Sequence, residues 1–181
     1  ITAESRREKI AVLEEIVGSY LLKDVLTLDR VKNSRVLLDL LKLVAFQIGS
    51  EVSLNELATH VKLDVKTVGR YLDIFEKAFV LKRVNGFSRN LRKEIVSKAK
   101  YYFLDIGIRN AVISQFNPLS NRNDAGVLWE NFLVAERLKK CAYQDLYGSF
   151  YFWRTYDGQE VDWVEEREGR LFGYEFKWSK N

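Results

Sequence analysis

Three short alternating runs near its C-terminal end constrain this 181-residue chain more than any other feature. From Trp153 to Lys180 it reads WRTYDGQEVDWVEEREGRLFGYEFKWSK. Asp157-Gly158 and Glu168-Gly169 separate runs in which polar and apolar residues alternate. Asp-Gly between such runs is a strong hairpin signal, because the turn it favours matches the twist of the flanking strands. The segment predicts three strands with turns at Tyr156–Gln159 and Arg167–Arg170. Side chains alternate along a strand with a period of two, so Glu175 and Lys177 share one face of the last strand. Phe172, Tyr174, Phe176 and Trp178 share the other.

Asp162 lies on the preceding strand of the same hairpin. A hard cation such as Mg²⁺ takes oxygen ligands and keeps several waters, so two carboxylates on adjacent strands form a minimal site. A lysine beside one of them would polarise a bound water and steady charge building on a phosphate. The bland reading of the same residues is a solvated strand face, with Asp162 a surface acid near a turn. Upstream, Val127–Lys140 carries Leu128, Phe132, Ala135 and Leu138 at helical spacing, with Glu130 inside it.

An Asp followed by Glu-x-Lys on the next strand resembles the metal-site layout of the PD-(D/E)XK nuclease fold. That resemblance implies a catalytic set of Lys177, Asp162, Glu175 and Glu130, with Mg²⁺ held by Asp162, Glu175 and Glu130. In such nucleases a helical Glu before the sheet often faces the metal. Most Glu residues on amphipathic helices are instead surface acids, and that reading of Glu130 stays open.

Charge is unevenly placed. Residues 62–100 hold 11 Lys and Arg against 4 Asp and Glu, whereas residues 123–181 hold 8 against 11. A basic block beside an acidic one fits an anion-binding part next to a cation-binding part. The basic block is organised. Leu37–Ile48 is an apolar helix ended by Gly49-Ser50, and Ser53-Leu-Asn-Glu56 is a capping box opening a second helix through His60. Asp64 caps a third helix, from Val65 to about Phe79, with Val68, Leu72, Phe75 and Phe79 as its buried stripe. Two extended runs follow, Val80–Phe87 and Lys100–Leu104, around a loop carrying Arg89, Arg92, Lys93 and Lys98.

This is the order of a winged helix-turn-helix. In such modules the start of the second helix enters the major groove and the wing touches phosphate. Lys66, Thr67 and Arg70 would then reach the nucleic acid, DNA in the first instance, with Arg89, Arg92 and Lys93 as wing contacts. The competing reading is a protein-binding or interdomain module with a solvated basic face. Gly69 inside the third helix costs about 1 kcal/mol relative to Ala.

Other classes are excluded. With one histidine, His60, and one cysteine, Cys141, a His/Cys zinc centre lacks ligands. No G-x-x-x-x-G-K-[ST] loop occurs, so the chain carries no Walker-type ATP site. No apolar run reaches the length of a membrane span and no signal peptide is visible, so a cytoplasmic location is expected. The chain starts at Ile1, contains no methionine and stops just past Glu175-x-Lys177, which suggests a piece of something longer.

Arg7–Leu28 is read as an amphipathic helix or helix pair broken near Gly18, and Ile106–Phe116 as a short helix. Asn117–Asp124 contains the only proline, Pro118, and marks a domain boundary. Several segments then recur in a familiar order: Tyr20–Val25, the helix-turn-helix, Lys100–Gly107, Gly126–Glu136, Trp153–Thr155, Glu160–Asp162 and Glu175–Lys177. Together they resemble the C-terminal half of a family of prokaryotic AAA-type ATPases. There a nucleotide-binding domain precedes a domain of unknown function, built from a winged helix and a PD-(D/E)XK-like part. The resemblance implies an α+β chain: a helical lead over 1–34, a winged helix-turn-helix over 35–116, and a C-terminally truncated nuclease-like α/β domain over 123–181. It also implies an upstream ATPase domain that would bind the ATP. Two functions follow as expectations: nucleic-acid binding with a Mg²⁺-dependent nuclease-like site, or a catalytically silent module recognising DNA or a protein for the ATPase.

Overall fold

A computed structural model describes residues 5–21, 34–88, 98–155 and 157–179; at Tyr20 and Leu21 the description is of the backbone. Among these residues the chain is α+β, with six α-helices and a mixed six-stranded sheet. It divides into two compact units. The first gathers the described residues of 1–47, 53–82 and 103–122, and the second those of 48–52, 83–102 and 123–181.

The first unit is helical. Helix α1 (Arg6–Glu15) opens on a capping box, in which the Ser5 hydroxyl accepts from the Glu8 N–H and the Glu8 carboxylate accepts from the Ser5 N–H. A π-helical turn at Ile16–Leu21 follows, with Gly18 inside it. Helix α2 (Ser34–Phe46) buries Leu37, Leu40, Leu41, Val44 and Ala45. Helix α3 (Leu54–Val61) is capped by Ser53, which accepts from the Glu56 N–H. The Glu56 side chain turns to Gln47 instead of closing the box, with 3.4 Å between them. Lys62 ends α3 in a left-handed conformation.

Helix α4 (Val65–Lys77) starts as expected, with Asp64 accepting from the Thr67 N–H at 2.8 Å and from its hydroxyl at 2.6 Å. Its buried stripe is Val68, Tyr71, Leu72, Ile74 and Phe75. Phe79 is a correction to the expected stripe. The helix stops at Lys77, Phe79 takes φ +56°, and the residue is 81% exposed. Helix α5 (Ile106–Val112) contributes Arg109, a buried guanidinium that donates twice to the Ala45 carbonyl, at 3.1 and 2.9 Å. It thereby satisfies a carbonyl at the C-terminus of α2 that the helix itself leaves open.

The sheet runs in the order β1 (Glu51–Val52), β3 (Ala99–Phe103), β2 (Leu81–Gly86), β4 (Ser149–Arg154), β5 (Glu160–Arg167), β6 (Arg170–Tyr174). The expected hairpins form at β4–β5–β6, both pairings antiparallel. The two extended runs around the basic loop, β2 and β3, are neighbours in the sheet. β2 also runs parallel to β4, Asn85 opposite Tyr151 and Gly86 opposite Phe152, so they share a sheet with the hairpins. The last strand is shorter than its pattern suggests. It ends at Tyr174, leaving Glu175–Ser179 beyond the ladder.

Helix α6 (Ala125–Tyr143) belongs to the second unit. Val134 from α6 closes a core with Val84, Tyr102, Phe152 and Trp163, flanked by Leu138, Phe150, Tyr174 and Phe176. Fully burying one large apolar side chain contributes about 1.5–3 kcal/mol, so each fully buried member of this cluster stabilises the unit on that scale.

Candidate functional site

A β-bulge shapes the acidic end of the second unit. Tyr151 pairs with Val164 and Trp153 with Val161, so two steps along β4 face three along β5. The extra residue falls at Asp162-Trp163, opposite Phe152. A bulge interrupts strict alternation and re-aims a side chain. Trp163 joins the core, while Asp162 comes within electrostatic reach of Tyr102, Glu160 and Glu175.

The surrounding charges come from separate elements. Lys100 and Tyr102 alternate along β3, Glu130 projects from α6, Glu160 and Asp162 from β5, and Glu175 and Lys177 follow β6. The Tyr102 hydroxyl donates to Glu130 Oε1 at 2.7 Å. Lys100 Nζ lies 3.6 Å from the same oxygen and donates to Glu160 Oε1. The other oxygen of Glu130 faces Gly49, where a Cβ would come within 3.1 Å of it. Asp162 Oδ2 accepts from the Phe176 N–H at 2.7 Å, so a carboxylate takes this amide just past the end of the strand. Lys177 Nζ bonds Glu175 Oε1 at 2.6 Å, and both are solvent-exposed.

These environments shift proton affinities. Burial raises the Glu130 carboxyl above its ordinary range, and Lys100 and Tyr102 offset this only in part. Burial likewise raises Asp162, against the Phe176 amide and with Glu175 adding repulsion. Tyr102 is pushed well up by burial and by Glu130. Its hydrogen bond to Glu175 raises Lys177.

The fit to Mg²⁺ follows from these contacts. Glu130, expected as a ligand, is engaged by Tyr102 and Lys100. Among the described residues, no group of three or more His, Cys, Asp or Glu side chains is placed to hold a metal ion. The set Asp162, Glu175 and Glu130 is therefore not drawn together as a three-carboxylate centre. Lys100, Tyr102 and Glu160 are the participants that motif reading misses. Their one sequence signal is alternation, Lys100-x-Tyr102 and Glu160-x-Asp162, each pair separated by the strand period.

A second carboxylate lies deeper in the sheet. Glu165 on β5 is 0% exposed, gripped by Arg137 and joined by the Trp163 indole N–H at 2.9 Å and by Arg167 at 3.0 Å. Cys141 Sγ lies 3.7 Å from it. Burial would raise the Glu165 carboxyl, but the Arg137 and Trp163 hydrogen bonds hold it below the ordinary range.

In the first unit, Lys66 and Arg70 are exposed on the N-terminal half of α4, and Thr67 is half-buried beside its cap. The Arg70 guanidinium lies 5.5 Å from the Tyr71 ring centroid. Arg89, Arg92 and Lys93 lie outside the described residues. His60 is exposed in the last turn of α3. No described helix is long and apolar enough to cross a membrane.

These features define an α+β protein with a capped, amphipathic helix α4 in one unit and a lysine-bridged acidic cluster in the other. Residues 1–119 match the model of a family described as a domain of unknown function (DUF8612), and the chain belongs to that family. Residues 125–181 match a further domain of unknown function (DUF4143). Uncharacterized proteins of Mycobacterium bovis and Mycobacterium tuberculosis are each 26% identical over 178 residues, covering 97% of this chain and 40% of theirs. An uncharacterized protein of Haemophilus influenzae is 24% identical over 168 residues, 90% of this chain and 39% of its own. The chain thus spans about two fifths of the length of these relatives. No solved structure matches.

Proposed function

We propose that this chain is the nucleic-acid-binding arm of a cytoplasmic AAA-type ATPase, with DNA as its partner and its acidic cluster catalytically silent. The observation that carries this reading is the two-sided character of α4. Val68, Tyr71, Leu72, Ile74 and Phe75 are buried, while Lys66 and Arg70 stand exposed near a start capped by Asp64. A helix presented in this way suits the recognition position of a helix-turn-helix, in which side chains at its start contact bases and phosphates. The ATPase parent rests on the family resemblance described above and on the greater length of the relatives. ATP would then belong to an upstream domain. The test is anisotropy titration of duplex DNA with wild type and a Lys66→Ala/Arg70→Ala variant. Unchanged binding in the variant would point α4 towards a protein partner.

One observation favours a second reading, a Mg²⁺-dependent nuclease using Asp162, Glu175 and Glu130 with Lys177 assisting. Glu130 and Asp162 are partly buried acids of raised proton affinity, and Glu130 feels the charge of Asp162. Plasmid cleavage that needs Mg²⁺ and disappears in Asp162→Asn would establish it.

A further inference from the structure

Lys100 is 1% exposed, and a lysine is almost never buried so completely unless it is paired. Its ammonium contacts Glu160 from β5, lies 3.6 Å from Glu130 of α6, and sits 5.2 Å from the centroid of the Phe152 ring on β4. Tyr102, two residues along the same strand, donates to the same Glu130 oxygen. The lysine thus joins carboxylates that lie 30 and 60 residues away in sequence.

We infer that Lys100 is the resident cation of this acidic cluster, holding Glu130 and Glu160 from within the fold in the charge-compensating place a divalent ion would take. Two physical points carry this. Mg²⁺ needs carboxylate oxygens at about 2.0–2.1 Å in near-octahedral order, whereas Glu130 offers an oxygen already engaged by a hydroxyl and an ammonium. A fixed positive charge among the same carboxylates also repels an incoming cation, most strongly where burial lowers the local dielectric. The facing charges are Glu130, Glu160, Asp162 and Glu175 against Lys100 and Lys177, with Arg154 4.0 Å from Glu160 at the rim. The cluster is then an internal staple joining β3, α6 and β5. This inference rests on the silent reading of the cluster but not on DNA binding, so the two can fail separately.

The test is calorimetric titration of Mn²⁺ into the 181-residue chain, with melting curves for wild type, Lys100→Met and Asp162→Asn. Wild type is expected to take up no Mn²⁺ at millimolar concentrations and to melt at the same temperature with or without it. Lys100→Met is expected to melt on the order of 10 °C lower, because it leaves two partly buried carboxylates without their ammonium, and Mn²⁺ should raise its melting temperature. If that variant does not fold, Lys100→Met/Glu160→Gln should recover a cooperative transition by removing one of the two stranded charges. Mn²⁺ binding by wild type that is lost in Asp162→Asn would overturn the inference. So would a Lys100→Met variant melting where wild type does, or a double variant no more folded than the single one.

Discussion

Arg137 holds Glu165 at two points, Nε to Oε1 at 2.5 Å and Nη2 to Oε2 at 2.9 Å, while its Nη2 also donates to the Tyr174 hydroxyl at 2.8 Å. Paired geometry of this kind is what allows a carboxylate to sit fully buried between a helix and a sheet. Removing one partner leaves the other charge stranded. Arg137→Ala is expected to lower stability by about 3 kcal/mol, the low end for a broken buried pair, because Arg167 and Trp163 remain beside the carboxylate. Urea denaturation of the two proteins measures it.

The same carboxylate sets an acid limb. A group whose folded-state proton affinity lies below its unfolded value stabilises the fold above the unfolded pKa, and that contribution is lost as pH falls through the folded one. Glu165 is such a group. Glu130 and Asp162, raised by burial, act in the opposite sense and weigh on stability less as they protonate. Glu165→Gln is therefore expected to flatten the loss of stability below the ordinary glutamate range. Denaturant midpoints measured from pH 7 down to the acid transition check the slope.

Gly49 answers to two constraints at once. Its φ of +73° favours glycine, and a Cβ there would come within 3.1 Å of Glu130 Oε2. Gly49→Ala is expected to destabilise the second unit by more than about 1 kcal/mol, since left-handed strain adds to displacement of a buried carboxylate. A thermal melt of the variant alone and combined with Glu130→Gln separates the two causes. Relief in the pair assigns the cost to the carboxylate.

Gly69 should respond the other way. It sits within α4 at an ordinary helical position, and an added Cβ would meet Leu54 Cδ1 at 4.0 Å, normal contact distance. Gly69→Ala is expected to stabilise by up to about 1 kcal/mol through helix propensity. An unchanged or lowered urea midpoint would show that α4 does not accept the methyl group.

Salt dependence reports on α4 directly. If Lys66 and Arg70 each neutralise one phosphate, each alanine substitution should reduce the slope of log K against log salt by about 0.9. Anisotropy titrations of one duplex at several salt concentrations measure the slope. Equal slopes for wild type and both variants would remove these residues from any DNA interface.

Local chemistry made part of this fold legible in the sequence. The Asp64 cap, the Val68–Leu72–Phe75 stripe and the two hairpin turns are written in residues a few positions apart. Caps, helical spacing and turn preferences act at that range. Phe79 keeps the spacing of the stripe although the chain leaves the helix two residues earlier, so periodicity alone places it on the wrong side. The end of β6 escapes the pattern for a related reason. Alternation continues through Lys177, but the Phe176 amide takes a side-chain acceptor in place of a ladder carbonyl.

The acidic cluster divides along the same line. Short-range periodicity puts Glu130 on a helix and Asp162 on a hairpin strand, because it places residues on their own elements, but it carries the last strand over Glu175 and Lys177, which lie beyond the ladder. Their neighbours follow from long-range contacts alone. The tertiary structure set β2 beside β4, inserted a bulge at Asp162-Trp163, and buried Lys100 against Glu130 and Glu160. Those choices depend on contacts between residues far apart in the chain, where burial and charge compensation act and no short-range pattern reaches.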